Sequence, residues 1–180
     1  MDSTLISTPW FTAQPCRDCD IPGYFVLQPR AHATRLSELS LPARETLGIV
    51  LGELEEAIQS VTGAEHVYTL RFSEGLSAVH FHLFPPTRKM ASEWLAVSQS
   101  TDVDIIGPTL FAWARVRFWV NGPDLLSRET LRTAELIGEA FESRTEQGDL
   151  SPSIGRFAPM QQCNDLLRAK LSLLCSRLSE

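Results

Sequence analysis

The sequence predicts an α+β fold: an antiparallel sheet with one long helix packed on it, followed by a helical extension. Three observations lead there. Two segments with period-2 alternation, His66 to Phe72 and Ser77 to Phe84, are joined by Ser73-Glu74-Gly75-Leu76, the pattern of a hairpin with glycine in its turn. In residues 42 to 62 the apolar side chains Leu47, Val50, Leu51, Leu54, Ile58 and Val61 fall on one helical face. Beyond Thr87 the alternation stops and helical spacing takes over.

In chain order, Tyr24 to Gln28 reads as a short buried strand bounded by Pro22-Gly23 and Pro29. Pro42 and Ala43 open the long helix, and Gly63 closes it. Pro85-Pro86 ends the second strand of the hairpin, because proline cannot donate to a ladder. Helices are expected around Met90 to Val97, Thr109 to Val120, Leu125 to Ser143 and Met160 to Leu178, with Glu146 to Arg156 as a linker rich in Gly, Ser and Pro. Residues 1–120 then form the α+β domain and 121–180 the helical extension. The stripe Cys163, Leu167, Leu171, Leu174 and Leu178 on the last helix packs on the core or on a partner subunit, which leaves a homodimer open.

A chain of 180 residues with 43% hydrophobic and 21% charged residues has the composition of one globular core. Its net charge of −6, without a run of Lys or Arg, gives nucleic acid nothing to bind. A small phosphorylated ligand is still compatible, since a few local donors suffice for one phosphate. The opening MDSTLISTPW has no basic residue and no apolar stretch after it. The apolar run Phe111 to Val120 is interrupted by Arg115 and Arg117 and is too short for a bilayer. These features predict a soluble cytoplasmic protein without a membrane partner.

The chemistry resides in four histidines and one cysteine pair. Along a strand His80, His82 and Phe84 point one way, and Val79, Phe81 and Leu83 point into the opposite, apolar layer. Two imidazoles on one face can serve one metal, two separate tasks or two core hydrogen bonds. Four cysteines are too few for a disulfide scaffold, and Cys16-Arg-Asp-Cys19 reads as metal or redox chemistry, with a pair of unligated thiols as the plainer alternative. Cys16, Cys19 and His32 open like a zinc finger, but no histidine follows His32 within the next five residues, so that reading fails. Cys163 and Cys175 are helix-packing residues, and His66 belongs to a surface or a strand edge.

The stretch from Gly75 to Phe84 (GLSAVHFHLF) resembles the His-x-His-x-His signature of the histidine-triad (HIT) superfamily of nucleotide hydrolases and transferases, with Gly75 and Ser77 as its preceding Gly-x-Ser. Phe25 to His32 (FVLQPRAH) is similar to that family's strand ending in Pro-Lys-x-His, and Leu36 to Leu39 with the helix after it match the next element. The resemblance spans residues 16 to 88. It implies a HIT-like antiparallel sheet and phosphoester or phosphoanhydride hydrolysis, or nucleotidyl transfer, through a nucleotidyl-histidine formed on the second histidine, His82. It also implies structural zinc on Cys16, Cys19, His32 and His80. Gly75 and Ser77 would bind phosphate, Arg88 is added from its position just beyond the strand, and the partner would be a nucleotide or nucleotide conjugate.

Two departures qualify what the resemblance implies. Phe84 replaces the third histidine, so the site lacks one donor, has moved that donor to Arg88 or Arg71, or uses Phe84 to stack on a base or seal the pocket. Only 12 residues separate Cys19 from His32, which implies loss of the N-terminal hairpin that helps hold base and ribose. The alternative to an enzyme is a noncatalytic, zinc-stabilised module for nucleotide binding or protein interaction.

Overall fold

The computed structural model describes residues 6–72, 78–98 and 107–146. Five strands form one antiparallel sheet in the order β1-β2-β3-β5-β4: β1 (Ile6–Ser7), β2 (Phe11–Pro15), β3 (Phe25–Pro29), β4 (Tyr68–Leu70) and β5 (Phe81–Phe84). Four helices accompany them: α1 (Leu41–Thr62), α2 (Arg88–Ser98), α3 (Gly107–Arg117) and α4 (Arg128–Glu146). Among the described residues no helix is long and apolar enough to cross a membrane.

The predicted long helix is α1, and its ends have local causes. Ser40 accepts a hydrogen bond from the Ala43 amide at 3.4 Å, a proline lies in the first turn, and Gly63 takes the left-handed conformation (φ 66°) that closes the last turn onto Gln59. Val50, Leu54, Ala57 and Ile58 are buried in one cluster with Ala13, Phe25, Leu27, Phe81 and Leu83, so α1 covers one face of the sheet.

Two parts of the fold differ from the sequence reading. A hairpin that the sequence reading did not place lies ahead of the cysteines, with Ile6 paired to Ala13 and Ser7 to Thr12, while the short segment from Cys19 to His32 holds the single strand β3. The hairpin forms because Phe11, Ala13 and Pro15 are buried at alternate positions and β2 zips along the whole of β3. The helical region also does not begin a separate extension at residue 121. Ala134, Ile137 and Phe141 of α4 join the α1 cluster, and Arg144 bridges to Glu53 (2.6 Å) and Glu56 (2.5 Å) of α1. An amphipathic helix must bury its stripe, and the flank of α1 supplies the partner, so α4 belongs to the compact unit Met1–Gly148.

The opposite sheet face carries the site. Its end is capped by α2 and α3, where Tyr24, Phe84, Met90, Leu110, Phe111 and Ala114 form a second core. The hairpin turn at Ser73 to Leu76, nearly all of the linker and the Met160 to Leu178 helix lie outside the described residues.

Candidate active site

The strand alternation puts Gln14, Val26 and His82 in one cross-strand row on the face away from α1. Here β2 and β3, the Cys16 to Asp18 turn, the approach to β5 and one residue of α3 enclose a cavity of ≈ 680 Å³. Its lining includes Cys16, Ala78, His80, His82, Phe72 and Arg115. Counted along the strand, the alternate positions open to the cavity are Ala78, His80 and His82. Phe84 is fully buried in the second core, edge-on to Tyr24 and Phe111, with ring centroids 5.8 and 5.3 Å away. The expected contact of Phe84 with phosphate or base is therefore corrected: α3 covers that position.

Both histidines are largely buried and their rings meet edge to face at 4.9 Å. His80 Nδ1 lies 2.9 Å from the Ala78 carbonyl oxygen. A carbonyl only accepts, so Nδ1 carries the hydrogen and Nε2 of the neutral ring keeps its lone pair. His82 Nδ1 pairs with the Tyr24 hydroxyl at 2.8 Å. Burial first, then the charges of His80 and Arg115, hold the His82 imidazole down to about 4, so it is neutral at pH 7. Burial likewise keeps the Tyr24 hydroxyl protonated well above its ordinary range.

The cysteine turn is stapled by the chain that follows α3. Asp20 and Val120 amides donate to the Phe118 and Asp18 carbonyls, and Cys19 bridges Trp119. Asp20 Oδ1 accepts from the Ser127 amide (3.0 Å), the Ser127 hydroxyl (2.9 Å) and the Thr130 hydroxyl (2.6 Å), tying the turn to the start of α4. The Cys19 thiol hydrogen-bonds to Cys16 and holds it down to about 7 against burial, while Cys19 itself is pushed up by the same bond and by burial.

The four residues assigned to zinc are not brought together. Cys16 and Cys19 are buried, His80 is tied to its own strand, and His32 is exposed after β3. Among the described residues no three His, Cys, Asp or Glu side chains converge on a point that could hold an ion. The guanidinium of Arg115 beside the thiols also disfavours a dication there. This donor set does not fit a tetrahedral zinc site.

The remaining assignments divide. Gly75 and Ser77 lie outside the described residues. Arg88 is exposed, paired with Glu65, and lines a different cavity of ≈ 620 Å³ together with His66 and Tyr68. Arg71 reaches the Thr34 carbonyl at 3.4 Å. Sequence reasoning missed Tyr24, Phe111 and Arg115. Phe111 sits at the centre of an aromatic group, stacked on Phe72 (5.8 Å) and 5.8 Å from His82. Its i, i+4 neighbour Arg115 extends over its ring at 5.9 Å into the cavity.

Comparison with protein-family models and with curated protein sequences finds no match. Solved structures do match. A hypothetical histidine triad nucleotide-binding protein of Sulfolobus tokodaii shares 14% identity, covering 87% of this chain and 91% of its own, with a TM-score of 0.53. A zinc-bound histidine triad family protein of Mycobacterium smegmatis shares 9% identity over 82% and 89%, with a TM-score of 0.51. A HIT-like protein of Bartonella henselae, described as involved in cell-cycle regulation, shares 14% identity over 78% and 88%, with a TM-score of 0.50. At these identities the likeness is one of fold, and the α+β fold of this chain is the histidine-triad fold.

Proposed function

We propose that the chain is a HIT-type hydrolase or nucleotidyl transferase acting on a phosphoester or phosphoanhydride of a nucleotide or nucleotide conjugate. One observation carries the reading: the cavity holds two imidazoles edge to face, and the carbonyl of Ala78 takes the Nδ1 hydrogen of one, which leaves the lone pair of the neutral ring on Nε2. The cavity volume lies in the range of small-molecule sites, and the half-exposed ring of Phe72 offers a base an apolar wall.

The same hydrogen bonds favour His80 over His82 as the nucleophile. This departs from the resembled signature, whose second histidine, matched here by His82, is the one that attacks. In this reading His80 Nε2 attacks the α-phosphorus, the phosphorus–oxygen bond to the leaving group breaks, and that oxygen departs with the bonding pair and takes a proton from water. Water or another acceptor hydroxyl then attacks the phosphorus, loses its proton to solvent, and returns the electron pair to His80. His82 accepts a hydrogen bond from the Tyr24 hydroxyl at Nδ1 and donates from Nε2 to a nonbridging oxygen as charge develops there. No step needs a metal.

The test is a panel of dinucleoside polyphosphates, nucleoside phosphoramidates and nucleotide sugars, run with wild type, His80→Ala and His82→Ala. Turnover by wild type is expected, with none detectable in His80→Ala and a loss of roughly 100-fold in His82→Ala from one missing donor. Binding without turnover across the panel would leave the noncatalytic nucleotide-binding module as the reading.

A further inference from the structure

We infer that Arg115, contributed by α3 from outside the strand motif, is the anion-binding residue of this cavity and takes the nonbridging oxygens of a phosphate group on its guanidinium. The inference deepens the phosphoester reading and rests on it for the identity of the ligand, but the anion subsite can be tested separately.

The cavity wall is otherwise built from β2, the cysteine turn, β3 and the approach to β5; Arg115 is what α3 adds to it. Two arginines line this cavity, the exposed Arg17 of the cysteine turn and the partly buried Arg115, and both differ from the arginines held in ion pairs. Arg88 is paired with Glu65, Arg132 with Glu135, and Arg144 with Glu53 and Glu56. Arg115 forms no ion pair among the described residues, Asp18 on the same wall included. Its one polar side-chain contact there is a long hydrogen bond, 3.5 Å from Nη1 to the neutral Tyr24 hydroxyl. A partly buried guanidinium has five N–H donors in a planar fork, so one long bond leaves most of them for a ligand.

Position adds to this. Tyr24 links Arg115 to His82 through two hydrogen bonds, so the cation and the imidazoles border the same space. In a chain of net charge −6, a polyanion needs a local cation to enter a half-closed cavity. The planar fork suits two oxygens of one phosphate, a bidentate geometry that the point charge of lysine does not reproduce. Arg115 would thus supply what the resembled signature obtains from its third imidazole, and it comes from the helix that buries Phe84.

The experiment is calorimetric titration of wild type, Arg115→Gln and Arg115→Lys with three probes: inorganic pyrophosphate, adenosine 5′-monophosphate and adenosine. Wild type should bind both anions. Arg115→Gln should weaken both by roughly 10- to 100-fold while leaving adenosine unchanged, and Arg115→Lys should recover part of the loss. Equal pyrophosphate affinity in wild type and Arg115→Gln, or no pyrophosphate binding by wild type, overturns the inference. Arg115-dependent binding of pyrophosphate without any affinity for the nucleotide sustains the anion subsite and removes the nucleotide reading instead. Should Arg115→Gln not fold, arginine modification of the wild type by phenylglyoxal decides: protection of Arg115 by pyrophosphate supports the subsite, and unchanged modification overturns it.

Discussion

Acidification should destabilise this protein through His82. Burial and the neighbouring charges of His80 and Arg115 hold its imidazole down to about 4, against an ordinary value of 6.5 in an unfolded chain. Between those two values the unfolded chain binds the proton and the folded one does not. Stability is therefore fully present above pH ~6.5 and is lost as pH falls toward ~4. A gap of about 2.5 pH units corresponds to about 3 kcal/mol. Urea unfolding of wild type and of His82→Gln, followed from neutral pH down to about 4.5, isolates this contribution, because the other histidines are common to both proteins. The carboxyls of Glu38 and Glu65, held below their usual range by hydrogen bonds from Thr34 and Arg88 respectively, are common to both as well and cancel in the difference. Wild type should lose most of the 3 kcal/mol relative to the variant across this range. Parallel pH profiles would show that His82 is not a buried neutral imidazole and would refute the reasoning.

Tyr24→Phe should cost about 1–3 kcal/mol in thermal or urea unfolding by leaving His82 Nδ1 without its partner; no loss would mean that the bond contributes nothing. Asp20→Ala should cost about 3 kcal/mol, since one oxygen holds three donors at the start of α4, and an unchanged urea midpoint would contradict that network. Phe84→His, which would restore activity if a donor were simply missing there, should instead destabilise the protein by about 2–3 kcal/mol without raising kcat, because it puts a polar ring in a core. A gain in kcat would return Phe84 to the cavity. Chelation by EDTA should leave the unfolding midpoint of untagged protein unchanged, and near-stoichiometric zinc with a drop of several kcal/mol on its removal would restore the four-ligand site.

Local rules were enough where local residues make the structure. Ser40, Pro42 and Gly63 mark α1 from the sequence because capping is decided within a few residues. The alternation from Val79 to Leu83 correctly separates the layer packed with α1 from the imidazole face. β1 and β2 were not legible, because the segment FTAQP is short, ends in proline, and becomes a strand only through pairing with β3. Phe84 shows the same limit at the site: periodicity gave its face, but the helix that covers it starts 23 residues later. Arg115 reads in sequence as an interruption of an apolar run, and it turns toward the histidines only once α3 folds over the sheet end. The four zinc ligands expected from the resemblance do not converge among the described residues, for a related reason. A Cys-x-x-Cys spacing puts two thiols on one turn, but whether two imidazoles meet them depends on a loop that leaves His32 exposed and on a carbonyl that already holds His80.

The central claim is that a covalent intermediate forms on His80. The most direct measurement is rapid denaturing quench at alkaline pH of the protein with its best substrate from the panel, followed by peptide mass spectrometry. A nucleotidyl mass on the imidazole of His80 in wild type, undiminished in kind by Phe84→His and absent in His80→Ala, is the predicted result. An adduct on His82, or turnover that proceeds with no histidine adduct at any quench time, would contradict it.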